Sequence, residues 1–205
     1  MDLIELLRSA AVATEAVLSQ VGPTNADRRT PCPEMSVSEA AAHLIGGISA
    51  FVVVGEGGEL AFGAPTDLDP HGEHPAADFR SAVDRLIAVF SEPGRLDASF
   101  AMPWGPTAGA QLVGFELIET VVHGWDIASG LGVTLPVEDD VAQATLDGAR
   151  NWVDDSVRVP GMFGPEVAYD GGTALDRLVA FLGREPAWTG NDDAVTPAGE
   201  PPQSH

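Results

Sequence analysis

Lysine is absent from this chain, and its ten basic residues are all arginine against 31 acidic ones, a formal net charge of -21 over 205 residues. A field of that sign repels phosphate backbones and anionic lipid surfaces, so neither nucleic acid nor a membrane is an expected partner. Cysteine is nearly absent too: Cys32 stands alone, which excludes an intrachain disulfide. Set between Pro31 and Pro33, it reads as incidental rather than nucleophilic, since a reactive thiolate needs an electropositive setting. Also missing are a basic leader with a cleavage site and any apolar run of roughly 18 residues, the length a membrane span requires. A cytoplasmic protein is expected.

The length suits one sizeable core, and a second full domain would be a squeeze. The expected organisation is a helical domain over residues 1–188 and a disordered acidic, Pro-rich tail over 189–205, where large apolar groups give out. The class is mainly all-α. Leu3, Leu7, Ala10, Thr14, Val17 and Val21 alternate spacings of four and three, one helical stripe closed by Gly22-Pro23. Ser36-Val37-Ser38-Glu39 has the form of a capping box, opening a second helix that runs to the glycines at 55, 57 and 58. Phe79, Val83, Leu86 and Phe90 mark a third helix from about Pro75 to Glu92. A fourth spans about Thr107 to Leu131. A fifth begins near Pro136, with acids in its first turn, and a short last helix carries Leu175, Leu178 and Leu182. LDASFAMPWGP offers a short extended piece that can pair as a small hairpin.

The fourth helix carries the chemistry. Advancing 100° per residue, Glu116, Glu119, His123 and Asp126 fall within about 40° of Leu112, while Leu117, Ile118, Val121 and Trp125 occupy the back. A helix apolar behind and ionisable along a narrow stripe is expected to be buried on both sides, so something positive or hydrogen-bonding must meet the stripe. Glu119 and His123 are one turn apart and point the same way. His43, on the second helix among small neighbours such as Gly47 and Ala50, is placed to join them as a third ligand.

Two imidazoles and a carboxylate make an open metal site, with coordination positions left for water or substrate. Zinc is the default ion; iron and nickel suit the same donors. Asp126 is a candidate for holding the His123 tautomer from behind, and Glu116 is a rival ligand. The pattern alone leaves a second reading open, in which His123 is simply a buried histidine bonded to a nearby carboxylate. His71 and His74 form another pair, in a Gly- and Pro-rich loop over 55–75 that suits solvated histidines better. Trp104 and Trp125 are candidate pocket walls, though ordinary packing is the commoner use. Arg80, Arg85, Arg150 and Arg177 are expected to pair with surface acids.

The succession PCPEMSVSEAAAHLIGG, ETVVHGWDIASGLG and LDRLVAFLGREPAW resembles the actinobacterial metal-binding proteins related to the N-terminal domain of mycothiol-dependent maleylpyruvate isomerase, within the DinB-like superfamily. The resemblance implies a four-helix bundle with extra short helices and a divalent ion held by His43, Glu119 and His123. It also implies mycothiol as a cosubstrate. Met35 stands where the family commonly has an aromatic, and the isomerase continues into a second domain that this chain does not show, so isomerase activity is not carried over. Three functions are therefore expected to compete. The first is a metal-dependent transferase that joins a low-molecular-weight thiol to an electrophile. The second is a metal-dependent hydrolase with Glu116 as base, and the third a non-catalytic metal or small-ligand binding module, dimeric through an apolar helix face.

Overall fold

Local sequence rules account for most helix starts. In the computed structural model, which describes residues 1–61, 74–159 and 162–190, Asp2 caps α1 (Leu3–Leu18) by accepting from the Glu5 amide at 2.9 Å. Ser36 and Glu39 close the expected capping box on α2 (Val37–Gly55). Pro75 opens α3 (Pro75–Phe90), where its missing amide hydrogen costs nothing. The expected hairpin is present: β1 (Ser99–Met102) pairs antiparallel with β2 (Gly105–Ala108), Phe100 opposite Thr107. It takes Thr107 and Ala108 from the predicted fourth helix, so α4 begins at Gly109 and ends at Leu131. Gly132 follows with φ 74°, the left-handed conformation that stops a helix cheaply only at glycine. Two shorter helices complete the chain, α5 (Asp139–Arg150) and α6 (Ala174–Phe181), the second capped reciprocally by Thr173 and Asp176.

The class is all-α with one small hairpin, as expected, with six helices among the described residues. The four long helices pack in a closed cycle: α1 on α3 and α4, α2 on α3 and α4. The fully buried Leu7, Leu44, Ile48, Phe79, Leu86 and Val113 fill the space they enclose. Helices α5 and α6 pair with each other, and α5 lies against α4 and α1. Close approach of α1 and α4 depends on Gly124, where a Cβ would collide with Thr14 Oγ1, and Thr14 uses that hydroxyl to donate to the Thr120 carbonyl at 3.0 Å.

One expectation needs correcting. No single apolar run reaches membrane length, yet α2 as a 19-residue helix does pass by length and composition, with mean hydropathy 1.7 in its window. The scattered Glu39 and His43 break the run without lowering the mean enough to fail it. Within the fold 56% of that window is buried, and its apolar side is engaged by α3 and α4, as a core helix requires. The expected tail lies outside the described residues from 191 onward, as does His71.

Candidate metal centre

Helices α2 and α4 face each other along their middles, and this brings His43 to Glu119 and His123. Glu119 Oε2 is the hub. It lies 3.2 Å from His123 Nε2 and 3.6 Å from His43 Nε2, the two imidazole rings standing edge to face with centroids 4.9 Å apart. One donor atom from each residue falls within 4.8 Å of the other two. A tetrahedral ion with bonds of about 2.0–2.1 Å holds neighbouring donors about 3.3 Å apart, close to the two edges that meet at Glu119 Oε2. The triad also has a wet and a dry side: His43 keeps 48% of its side-chain surface, Glu119 15% and His123 6%.

The dry side continues inward. His123 Nδ1 sits 3.1 Å from Asp126 Oδ2, with its N–H off the line of a good hydrogen bond, so the contact is chiefly one of charge. Asp126 is fully buried and is met by Arg184, whose Nη2 donates at 3.0 Å and Nε at 3.4 Å. Arg184 in turn donates through Nη1 to the Leu182 carbonyl. Gly183, at φ 86°, makes the turn after α6 that lets Arg184 enter the core. This is the cation that the buried acidic stripe required, and nothing periodic in the sequence points to it.

The charges set the proton affinities. Burial is the largest single influence and would push the Glu119 carboxyl up, but the hydrogen-bonding and charge of the His123 and His43 imidazoles together outweigh it and hold Glu119 far below the usual carboxylate range. Burial would likewise lower His123; Asp126 and Glu119 outweigh it and raise the imidazole to about 9. Asp126 resists its own burial because Arg184 and His123 favour the anion. Glu116, 1% exposed and one turn before Glu119, goes the other way: burial and the Glu119 charge push it well above the usual range. Neither of its oxygens has a hydrogen-bond partner among the described residues.

Of the residues singled out in the sequence, His43, Glu119, His123 and Asp126 are brought together as expected, and Glu116 adjoins them outside the cluster of donors. His74 is an exposed residue ahead of α3 and makes no capping bond. Trp104 is exposed at the hairpin tip, its Nε1 donating to Thr107 Oγ1. Trp125 does line a groove of about 380 Å³ with Leu135, Val137 and Leu175, but that groove contains none of the triad. Arg80 and Arg85 pair with Glu15 and Glu56; Arg150 instead lies over the Phe181 ring, and Arg177 donates to the Gly172 carbonyl and to Gln143 Oε1. Half-buried Cys32 has its thiol raised by burial and by Asp126, opposite to what a nucleophile needs.

Comparison with known proteins places the site in context. Two uncharacterized proteins of Mycobacterium tuberculosis, from strains CDC 1551 / Oshkosh and ATCC 25618 / H37Rv, are each 28% identical to the chain over 186 residues, covering 90% of it and 98% of the relative. No solved structure gives a significant match. The model of the mycothiol maleylpyruvate isomerase N-terminal domain matches residues 7–128, which takes in His43, Glu119, His123 and Asp126 and stops short of Arg184. Matched over more than half its length, and with those four side chains inside the match, the chain belongs to the mycothiol maleylpyruvate isomerase N-terminal domain family.

Proposed function

We propose that this protein binds a divalent metal ion, zinc by preference, through His43, Glu119 and His123, and uses the site to transfer a low-molecular-weight thiol, mycothiol by family, to an electrophile. The observation that carries the reading is the asymmetry of the triad: three convergent donors, braced from behind by Asp126 and Arg184 and open to solvent at His43. A structural histidine needs the brace but not the open face. A bound ion supplies the Lewis acidity that keeps a thiol as thiolate near neutral pH.

The chain's own groups do the rest. Asp126 fixes the His123 ring and keeps Nε2 aimed at the ligand position; Arg184 stops Asp126 from competing for the ion. Glu119 is already ionised, so it offers its oxygen without first losing a proton. The reaction is attack of the thiol sulfur on an electrophilic carbon: the S–H bond breaks and its proton passes to solvent on the His43 side, the C–S bond forms, and the pair displaced from that carbon leaves with a departing anion or, at a carbon–carbon double bond, moves to the neighbouring carbon and is protonated by solvent.

Hydrolysis with Glu116 as general base finds less support, because Glu116 lies outside the cluster of donors that would hold the ion and its activated water. The test is elemental analysis of the purified protein with a thiol-consumption assay over a panel of electrophiles. One equivalent of metal, lost in His43→Ala and Glu119→Ala, with metal-dependent thiol consumption, is expected. Stoichiometric metal without thiol chemistry would leave a binding module, and a metal-free protein with unchanged turnover would end the proposal.

A further inference from the structure

Glu116 is the one buried carboxylate of the α4 stripe that the reading above leaves unused. It is 1% exposed, with both oxygens lacking a partner among the described residues, while Asp126 on the same helix is met by two cationic groups. Buried carboxyls normally find partners, so an orphan beside a ligand site is the unusual observation.

Across the seam it is met by backbone that carries no side chain. Gly47 on α2 faces it, one turn beyond His43 and on the same side of the helix; even a Cβ built there would only reach to 3.9 Å from Glu116 Oε1. The seam between α2 and α4 thus holds the metal-binding donors at one level and, one turn along, an unpaired carboxyl opposite glycine backbone. Thr120 Oγ1, one turn after Glu116, is a second buried polar atom without a partner.

We infer that Glu116 is a substrate-contacting residue, accepting a hydrogen bond from a hydroxyl or amide N–H carried by the small thiol that His43, Glu119 and His123 hold. The inference rests on the metal-thiol reading proposed above. It selects thiols with a hydrogen-bond donor a few atoms from sulfur over plain alkyl thiols. Burial and the Glu119 charge favour the neutral carboxyl, whose carbonyl oxygen still accepts, so the contact holds in either protonation state.

The test compares matched thiols on the cobalt-substituted protein, following the thiolate-to-cobalt absorption: 2-mercaptoethanol against 1-propanethiol, and 3-mercaptopropan-1-ol against 1-butanethiol. Wild type should prefer the hydroxylated member of at least one pair by about tenfold, the effect of one hydrogen bond in a buried site. Glu116→Gln, whose amide oxygen accepts, should keep the preference; Glu116→Leu should erase it with cobalt stoichiometry unchanged. Glu116→Ala, which removes the acceptor without filling the seam, replaces the Leu variant if that one fails to fold. An equal preference in all variants, or none in wild type, overturns the role of Glu116. Loss of cobalt from a folded Glu116→Leu protein overturns it as well, by making Glu116 a ligand. Failure of wild type to take up cobalt at all would instead sink the metal site on which the inference rests.

Discussion

Arg184 and Asp126, 58 residues apart in the chain, form a buried ion pair behind His123. The pair ties the turn after α6 to the C-terminal half of α4, and so ties a segment outside the family-matched region to the candidate site. Removing one partner of such a pair leaves an uncompensated buried charge, which costs about 3–5 kcal/mol. Arg184→Met should therefore destabilise the fold by that order. It should also weaken metal binding about 10- to 100-fold, as changes behind a metal-bound histidine do. Arg184→Lys should recover the charge but not the forked geometry, and so only part of the affinity. Zinc affinity by competition with a chromophoric chelator decides the matter: wild-type affinity in Arg184→Met would mean that Asp126 orients His123 unaided.

The two histidines differ in what they hold. His43 is half exposed and meets the triad through Glu119 and the edge of the His123 ring, so His43→Ala should abolish stoichiometric metal while changing stability by less than about 1 kcal/mol. His123→Ala should lose metal and stability together. It strips the buried Glu119 and Asp126 of their nearest imidazole, a loss on the order of 3 kcal/mol. Urea denaturation of the metal-free proteins separates the two effects; equal losses in both variants would contradict the asymmetry.

Which parts of this were legible in the sequence follows from the range of the interactions. Glu119, His123 and Asp126 are neighbours through helical periodicity alone, so their shared face could be read directly, and the box at Ser36 and Glu39 is a three-residue signal. His43 needed a guess about which helices face each other. Arg184 stands in the LDRLVAFLGREPAW stretch of the resemblance, but its contact with Asp126 was not legible, because it is fixed by a left-handed turn at Gly183 and the packing of α6, neither of which repeats along the chain. The start of α4 was misplaced by two residues because Thr107 and Ala108 suit helix and strand alike, and pairing with Phe100 and Ser99 settled the competition. The groove at Trp125 shows the reverse limit: an aromatic near the motif in sequence points to the opposite side of the same helix.

Two glycine-to-alanine changes should have opposite signs. In Gly124→Ala the new methyl group would collide with Thr14 Oγ1 and come within 3.3 Å of Leu135 Cδ1, forcing α1 away from α4. The expected loss is about 1–3 kcal/mol, the usual range for overpacking. Gly148→Ala in α5 meets nothing within 4 Å and should gain about 0.5–1 kcal/mol from helix propensity. Paired denaturation curves test both, and a neutral Gly124→Ala would mean that the α1–α4 seam can open.

Metal uptake should depend on pH through His123. In the metal-free protein its imidazole is raised to about 9, so at neutral pH a proton occupies the position an ion must take, whereas Glu119 is already ionised. Binding at pH 7 should then release about one proton from His123, and its contribution to affinity should rise about tenfold per pH unit until the pH passes 9. The same shift acts on stability in the opposite sense. A histidine whose folded pKa exceeds its unfolded value of about 6.5 stabilises fully below that value and loses its contribution as the pH rises to 9. Glu116, raised on folding, adds a loss of the same sign as it ionises. Metal-free protein should therefore melt at progressively lower temperature from pH 6.5 to 9, and saturating zinc should remove much of that slope because His123 is then unprotonated throughout. Calorimetry in buffers of different ionisation enthalpy counts the released protons, and a melting temperature that climbs over this interval without metal would refute the coupling of His123 to its two carboxylates.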